Sequence, residues 1–258
     1  MKINKVSPDK NDFLQITSGI ANSPKSLYFI GKLPKTRRPS VAIVGSRKPT
    51  AYGSEVTHRF AYELAARDCI VISGLALGVD GIAHKAALEA GGTTLAVLGN
   101  GLPDIYPVAH KQLAAQIIEQ GGAILSEYEP GMPALGHQFF ERNRIVSALS
   151  DAILITEAAS RSGTLNTAAH ALTQGKDVFV IPGNITSPMS AGCNALIKQG
   201  AHVATTPEDI LEIIAPTHLP GQNILPLGNT PEETAIITLL QAGIRDGNEL
   251  QQTANLDA

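Results

Sequence analysis

Tryptophan is absent, and cysteine is limited to Cys69 and Cys193. Two distant cysteines provide neither a disulfide framework nor a metal-type spacing, and they suit a reduced compartment such as the cytoplasm. Charged residues are sparse at 17% and aromatics at 4%, whereas 43% of the chain is hydrophobic, which excludes disorder as the main state. No apolar run approaches the roughly 20 residues of a membrane span. The opening Met-Lys-Ile-Asn-Lys-Val-Ser-Pro has no apolar stretch of the kind secretion requires. A soluble, cytoplasmic protein with no membrane partner is expected. A basic excess is missing too: 20 Lys and Arg stand against 23 Asp and Glu, so any nucleic-acid contact has to be a local patch.

What is present is a regular alternation. Short β-rich apolar runs recur at 41–44, 69–72, 94–98, 123–125, 152–155 and 178–181, each bounded by Gly, Ser or Pro, as strands buried on both faces are. Between them lie helix-length segments with apolar residues three and four apart, at 52–67, 80–90, 109–120, 142–149, 165–174 and 195–199. A closing helix is read at 209–214. This pattern predicts an α/β fold: an extended Rossmann-like parallel sheet with helices on both faces over residues 39–215. Residues 1–38 read as an extended lead-in, and the Pro/Gly-rich stretch 216–229 as a linker. In the 230–258 tail, Thr230-Pro231-Glu232-Glu233 combines an N-cap, a first-turn proline and acidic residues, so a short helical pair is expected there.

In such a sheet the ligand crevice lies beyond the carboxyl ends of the strands, and the unusual residues collect there. The first strand runs into Gly45-Ser46-Arg47, the second into Ser73-Gly74 and on to Asp80, and the third into Gly99-Asn100-Gly101. The fifth runs into Ser160-Arg161-Ser162-Gly163-Thr164 and the sixth into Pro182-Gly183-Asn184. Glycine admits close backbone approach, and the amides of the following helix starts point at an anion. Tight turns and N-caps use the same residue types without any ligand. Arg47 and Arg161 add guanidinium forks suited to phosphate. Phe139-Phe140-Glu141-Arg142-Asn143-Arg144 sets aromatics beside two more guanidiniums, a combination that stacks bases and neutralises a single strand, although one of the two phenylalanines is expected in the core.

Enzymatic patterns are weak. There is no Walker A motif and no Gly-x-Ser-x-Gly elbow, and the 99–104 loop lacks the third glycine of a dinucleotide fingerprint. Asp80 and His84, four apart on one helix, have no third metal ligand nearby and read as an N-cap and a hydrogen-bonded histidine. Glu127 and Glu129 alternate at a strand end and read as turn or surface groups, and Cys193 as a small buried residue. No metal and no cofactor is expected.

The ordered motifs at 41–47, 73–84, 99–107, 125–131, 139–147, 157–165 and 182–197 resemble the DNA-processing protein A (DprA/Smf) family. The resemblance runs continuously from residue 27 to about 214. It implies a Rossmann-like protein without enzymatic activity that binds single-stranded DNA, usually as a homodimer. It further implies protection of incoming DNA and help in loading the RecA recombinase during natural transformation. Carried over by position, the DNA site falls on Gly45, Ser46 and Arg47, on Arg142, Asn143 and Arg144, and on Ser162, Gly163 and Thr164, with Phe140 and Lys198 as further members. The tail resembles the start of the family's winged-helix domain.

Two alternatives use the same rim. A nucleotide phosphoribohydrolase of the same superfamily needs a glutamate three residues after the threonine of its glycine-rich motif, where this chain has Thr167. A small-nucleotide sensor needs no such carboxylate, and the sequence separates it poorly from a DNA binder.

Overall fold

The computed structural model describes residues 2–215 together with Thr230, Glu233, Ile236, Leu239, Gly247 and Thr253. The chain divides into two compact units, Met1–Pro216 and Thr217–Ala258. In the second, the five described positions from Glu233 onward are helical, and the Glu233 N–H donates to the Thr230 hydroxyl at 3.2 Å, the bond an N-cap makes. The 216–229 linker and the rest of the expected tail helices lie outside the described residues.

The first unit carries strands β1 (Asn4–Val6), β2 (Leu27–Gly31), β3 (Ser40–Val44), β4 (Ile70–Ser73), β5 (Thr94–Leu98), β6 (Ala123–Ser126), β7 (Ala152–Ile155), β8 (Asp177–Val180) and β9 (His202–Val203). Its helices are α1 (Ala51–Ala66), α2 (Val79–Glu89), α3 (Lys111–Glu119), α4 (Gly136–Leu149), α5 (Thr164–Thr173), α6 (Ala191–Lys198) and α7 (Pro207–Ile214). The nine strands form one sheet in the order β1-β2-β6-β5-β4-β3-β7-β8-β9. From β6 to β9 all neighbours are parallel, as the alternation of strands and helices requires.

Strand residues alternate between two apolar layers. Leu95, Val97, Ile153 and Ile155 pack with Ile145, Val146 and Leu149 of α4, Ala168 and Ala171 of α5, and Cys193 and Leu196 of α6. Ala96, Leu98 and Ile124 face the other way, against Leu113 and Ile117 of α3. Helices therefore cover both faces.

Three elements depart from the sequence expectation. Residues 1–38, read as a lead-in, contribute β1 and β2, which extend the sheet beyond β6 in antiparallel fashion, and their Phe13 and Leu14 are fully buried in the core. Helix α4 begins six residues before the expected 142, because the Gln138 side chain accepts the Leu135 N–H at 2.8 Å and so closes a first turn that opens with glycine and two polar residues. Helix α6 begins at Ala191 rather than 195, and its Gly192 lies so close to the 158–159 backbone that a β-carbon would meet two carbonyl oxygens at 2.7 Å.

Candidate nucleic-acid interface

The chain leaves β3 through β4, β5 and β6 in one direction, then returns through α4 to place β7 on the other side of β3. That reversal opens a crevice at the carboxyl ends of β3 and β7, the position where doubly wound sheets hold ligands. A cavity of about 680 Å³ occupies it.

Its floor is the loop after β3. The Ser46 N–H donates to the Glu157 backbone carbonyl at 2.8 Å, and the Ser46 carbonyl accepts the Val79 N–H at 3.0 Å. Gly78 makes the second bond possible: its φ is +77°, and a β-carbon there would come within 2.3 Å of the Ser46 oxygen. Gly45, Ser46 and Arg47 all line the cavity. The Arg47 guanidinium is exposed and lies over the Phe139 ring, 5.9 Å from its centroid.

Opposite stands the start of α5. Ser162, Gly163 and Thr164 line the cavity, and the Thr164 hydroxyl donates to the Gly45 carbonyl at 3.0 Å, tying the two chain-distant loops together. The partial positive charge of the α5 N-terminus thus faces the same space as Arg47. Thr167, one turn on, is buried in the wall.

Helix α4 closes the third side. Phe140 is 53% exposed and lines the cavity, as does Asn143, which donates to the Asn166 side chain at 3.2 Å. Arg142 reaches the cavity wall but is only 5% exposed. Its guanidinium donates to the Gly74 carbonyl at 2.8 Å and also to the Val97 carbonyl. Close by, the Asp80 carboxylate accepts the N–H groups of Gly74 (3.0 Å) and Ala76 (3.3 Å). Burial raises the Asp80 pKa, against the pull of the Arg142 charge and these donors, and burial likewise lowers that of Arg142. Arg142 is thus a structural tie between the ends of β4 and β5 before it is a ligand group.

Nine of the eleven expected site residues line this one cavity: Gly45, Ser46, Arg47, Phe140, Arg142, Asn143, Ser162, Gly163 and Thr164. Arg144 does not; it is ion-paired with Glu127, whose pKa is raised by its own burial and held back by that guanidinium. Lys198 is exposed at the end of α6, outside the lining, and Arg161, exposed in the turn before Ser162, is not a lining residue either. Sequence reasoning missed Tyr106, which lines the cavity with its ring tilted at 37° to Phe139, centroids 5.4 Å apart, beside the ring that Arg47 covers. An aromatic residue in the loop that follows the Gly99-Asn100-Gly101 strand end was the available signal.

The metal-type pairs have other occupations. The wholly buried His84 bonds through Nδ1 to the Thr94 hydroxyl at 2.6 Å, and burial pushes its pKa down to about 3. Glu127 serves Arg144, and Glu129 faces Lys5 at 3.8 Å. Among the described residues no three His, Cys, Asp or Glu side chains gather as metal ligands, and no helix is long and apolar enough to cross a membrane.

Fold and site together define a Rossmann-like α/β protein with a switch-point cavity lined by an exposed arginine, an exposed phenylalanine and the N-terminal end of a helix. The chain matches the family described as DNA recombination-mediator protein A over residues 4–215, and it belongs to that family. It is 49% identical over 189 residues to Protein Smf of Escherichia coli (strain K12), covering 73% of this chain and 50% of that one. The chain thus spans about half the length of the first curated relatives it matches. The X-ray structure of DNA processing protein A from Streptococcus pneumoniae superposes with a TM-score of 0.76 at 37% identity, over 83% of this chain and 75% of that one. A structure describing the single-stranded DNA binding mode of DNA processing protein A from Helicobacter pylori gives 0.71 at 32% identity, over 82% and 95%.

Proposed function

We propose that this chain binds single-stranded DNA in the switch-point cavity, without catalysing a reaction on it. One observation carries the reading: the exposed Arg47, the N-terminal end of α5 at Ser162, Gly163 and Thr164, and the exposed Phe140 all line one open space. A guanidinium beside the positive end of a helix suits a phosphate, and the ring suits an unpaired base. The Helicobacter pylori relative, whose described subject is single-stranded DNA binding, supports the same ligand. The role proposed for this chain is that of a homodimeric, cytoplasmic recombination mediator, one that shields incoming DNA and hands it to RecA recombinase during natural transformation.

The phosphoribohydrolase alternative lacks its carboxylate at Thr167, and the carboxylate that does line the cavity, Asp80, is engaged by two backbone amides. A titration by fluorescence anisotropy decides between the DNA and small-nucleotide readings. A labelled short oligothymidylate is bound, then competed with thymidine monophosphate. The oligomer binds far more tightly, and its affinity falls with salt at a log–log slope of about 0.7 per phosphate contacted. Equal affinity for the mononucleotide sinks the DNA reading, and release of free base from nucleoside monophosphates restores the enzyme. Light scattering on the purified chain reports the dimer.

A further inference from the structure

A second cavity, of about 550 Å³, adjoins the first along the same lip of the sheet. Thr50 and Tyr52 of the first turn of α1 line it, with Glu157 just beyond β7 and the segment that follows β8. The two cavities share their walls. The Glu157 backbone carbonyl anchors Ser46 of the first cavity, while its side chain lines the second. In the segment after β8, Met189 lines the first cavity and its neighbours Ser187 and Ser190 line the second.

The chemistry of the second cavity is the reverse of the first. None of its lining residues is a lysine or arginine, and its one charged group is a carboxylate. Glu157 is only 3% exposed and held rigidly: Oε2 accepts the Thr50 N–H at 2.9 Å and Oε1 the Thr50 hydroxyl at 2.6 Å. Each oxygen keeps further acceptor capacity. The Tyr52 ring, 47% exposed, is fixed by its hydroxyl, which donates to the Pro182 carbonyl at 2.8 Å. The Gly183 backbone is fixed in turn by Asn194. A phosphate is repelled here. A flat, neutral group carrying N–H donors finds a ring to lie on and a carboxylate to meet.

We propose that this second cavity receives a nucleobase of the strand whose phosphate sits in the first, and that Glu157 selects for bases with adjacent N–H donors, guanine above all. Guanine presents its N1–H and 2-amino group side by side, a two-donor edge matched to the two oxygens of a carboxylate. Adenine and cytosine each offer one amino group. Thymine offers a single N–H between two carbonyls, both of which face the carboxylate unfavourably. The inference rests on the single-stranded DNA reading and adds a base preference to it.

The test compares oligothymidylate with the same oligomer carrying one central dG, dA, dC or dT, by anisotropy on the full chain. The dG strand binds about five- to tenfold more tightly than the all-dT strand, the low end of what a two-bond base contact supplies, with dA and dC between. Glu157→Gln, which keeps an oxygen for Thr50 but breaks the paired acceptors, brings the dG to dT ratio to about one, within the scatter of such titrations. Tyr52→Leu, which removes an exposed ring, lowers the ratio as well, and thermal melting checks that both variants are folded. Equal binding of all four strands by the wild-type chain overturns the inference while leaving DNA binding intact, as does a preference that survives in both variants. Failure of every strand to bind overturns the DNA reading itself.

Discussion

Replacing Arg142 by methionine separates a structural arginine from a ligand-binding one. The substitution keeps most of the apolar stem of a side chain that is 5% exposed, but removes the guanidinium that serves the Gly74 and Val97 carbonyls. Each charge-assisted bond is worth about 1.5–3 kcal/mol, so two of them come to about 3–5 kcal/mol once their partial overlap is allowed for. The Asp80 carboxylate, left on the Gly74 and Ala76 amides, also loses the favourable field of the guanidinium. The expected net loss is about 3–5 kcal/mol, read as a drop in urea midpoint at constant slope in circular dichroism of the full chain. Asp80→Asn retains an oxygen for both amides and costs less. The double variant loses less than the sum of the two, with a coupling of about 1–3 kcal/mol. An Arg142→Met protein within about 1 kcal/mol of wild type, or a strictly additive double variant, refutes the reasoning.

Arg47→Ala is expected to act in the opposite way: its guanidinium is exposed, so melting barely moves, while single-stranded DNA affinity falls by more than about 1 kcal/mol. An unchanged dissociation constant removes Arg47 from the site. His84 sets an acid limit. Its folded pKa, pushed down to about 3, lies below the ordinary 6.5, so the unfolded chain takes up the proton first. The stability linked to it is complete above pH 6.5 and is lost toward pH 3, at up to about 1.4 kcal/mol per pH unit. His84→Gln should flatten that slope relative to wild type, and parallel curves count against it. Cys193 is wholly buried and burial pushes its thiol up to about 11, so thiol reagents at mildly alkaline pH should label it only after unfolding. Rapid labelling of the native protein contradicts that.

The six central strands were readable because each is a short β-rich run buried on both faces, a pattern set by local composition. Strand β1 was not: Asn4–Val6 is three residues long and two of the three are polar, and it becomes a strand only by pairing with β2, which in turn pairs with β6, far along the chain. Leu27–Gly31 is visibly apolar, but nothing local says that its partner runs antiparallel. Within the site, glycine-rich strand ends pointed to the cavity, whereas the division of labour among arginines depended on burial. Arg142 shares the stripe of Ile145, Val146 and Leu149 at helical spacing, which forecasts its inward position once α4 is known to start at Gly136. Arg144, two residues on, falls on another face, where Glu127 claims it.

The hydroxyl bridge from Thr164 to Gly45 joins parts of the chain 119 positions apart. During synthesis the loop carrying Arg47 emerges early, yet its facing wall exists only once β7 and the start of α5 have left the ribosome. A nascent or prematurely ended polypeptide lacking α5 therefore has only part of the cavity's wall, because Ser162, Gly163, Thr164 and Thr167 are missing from it.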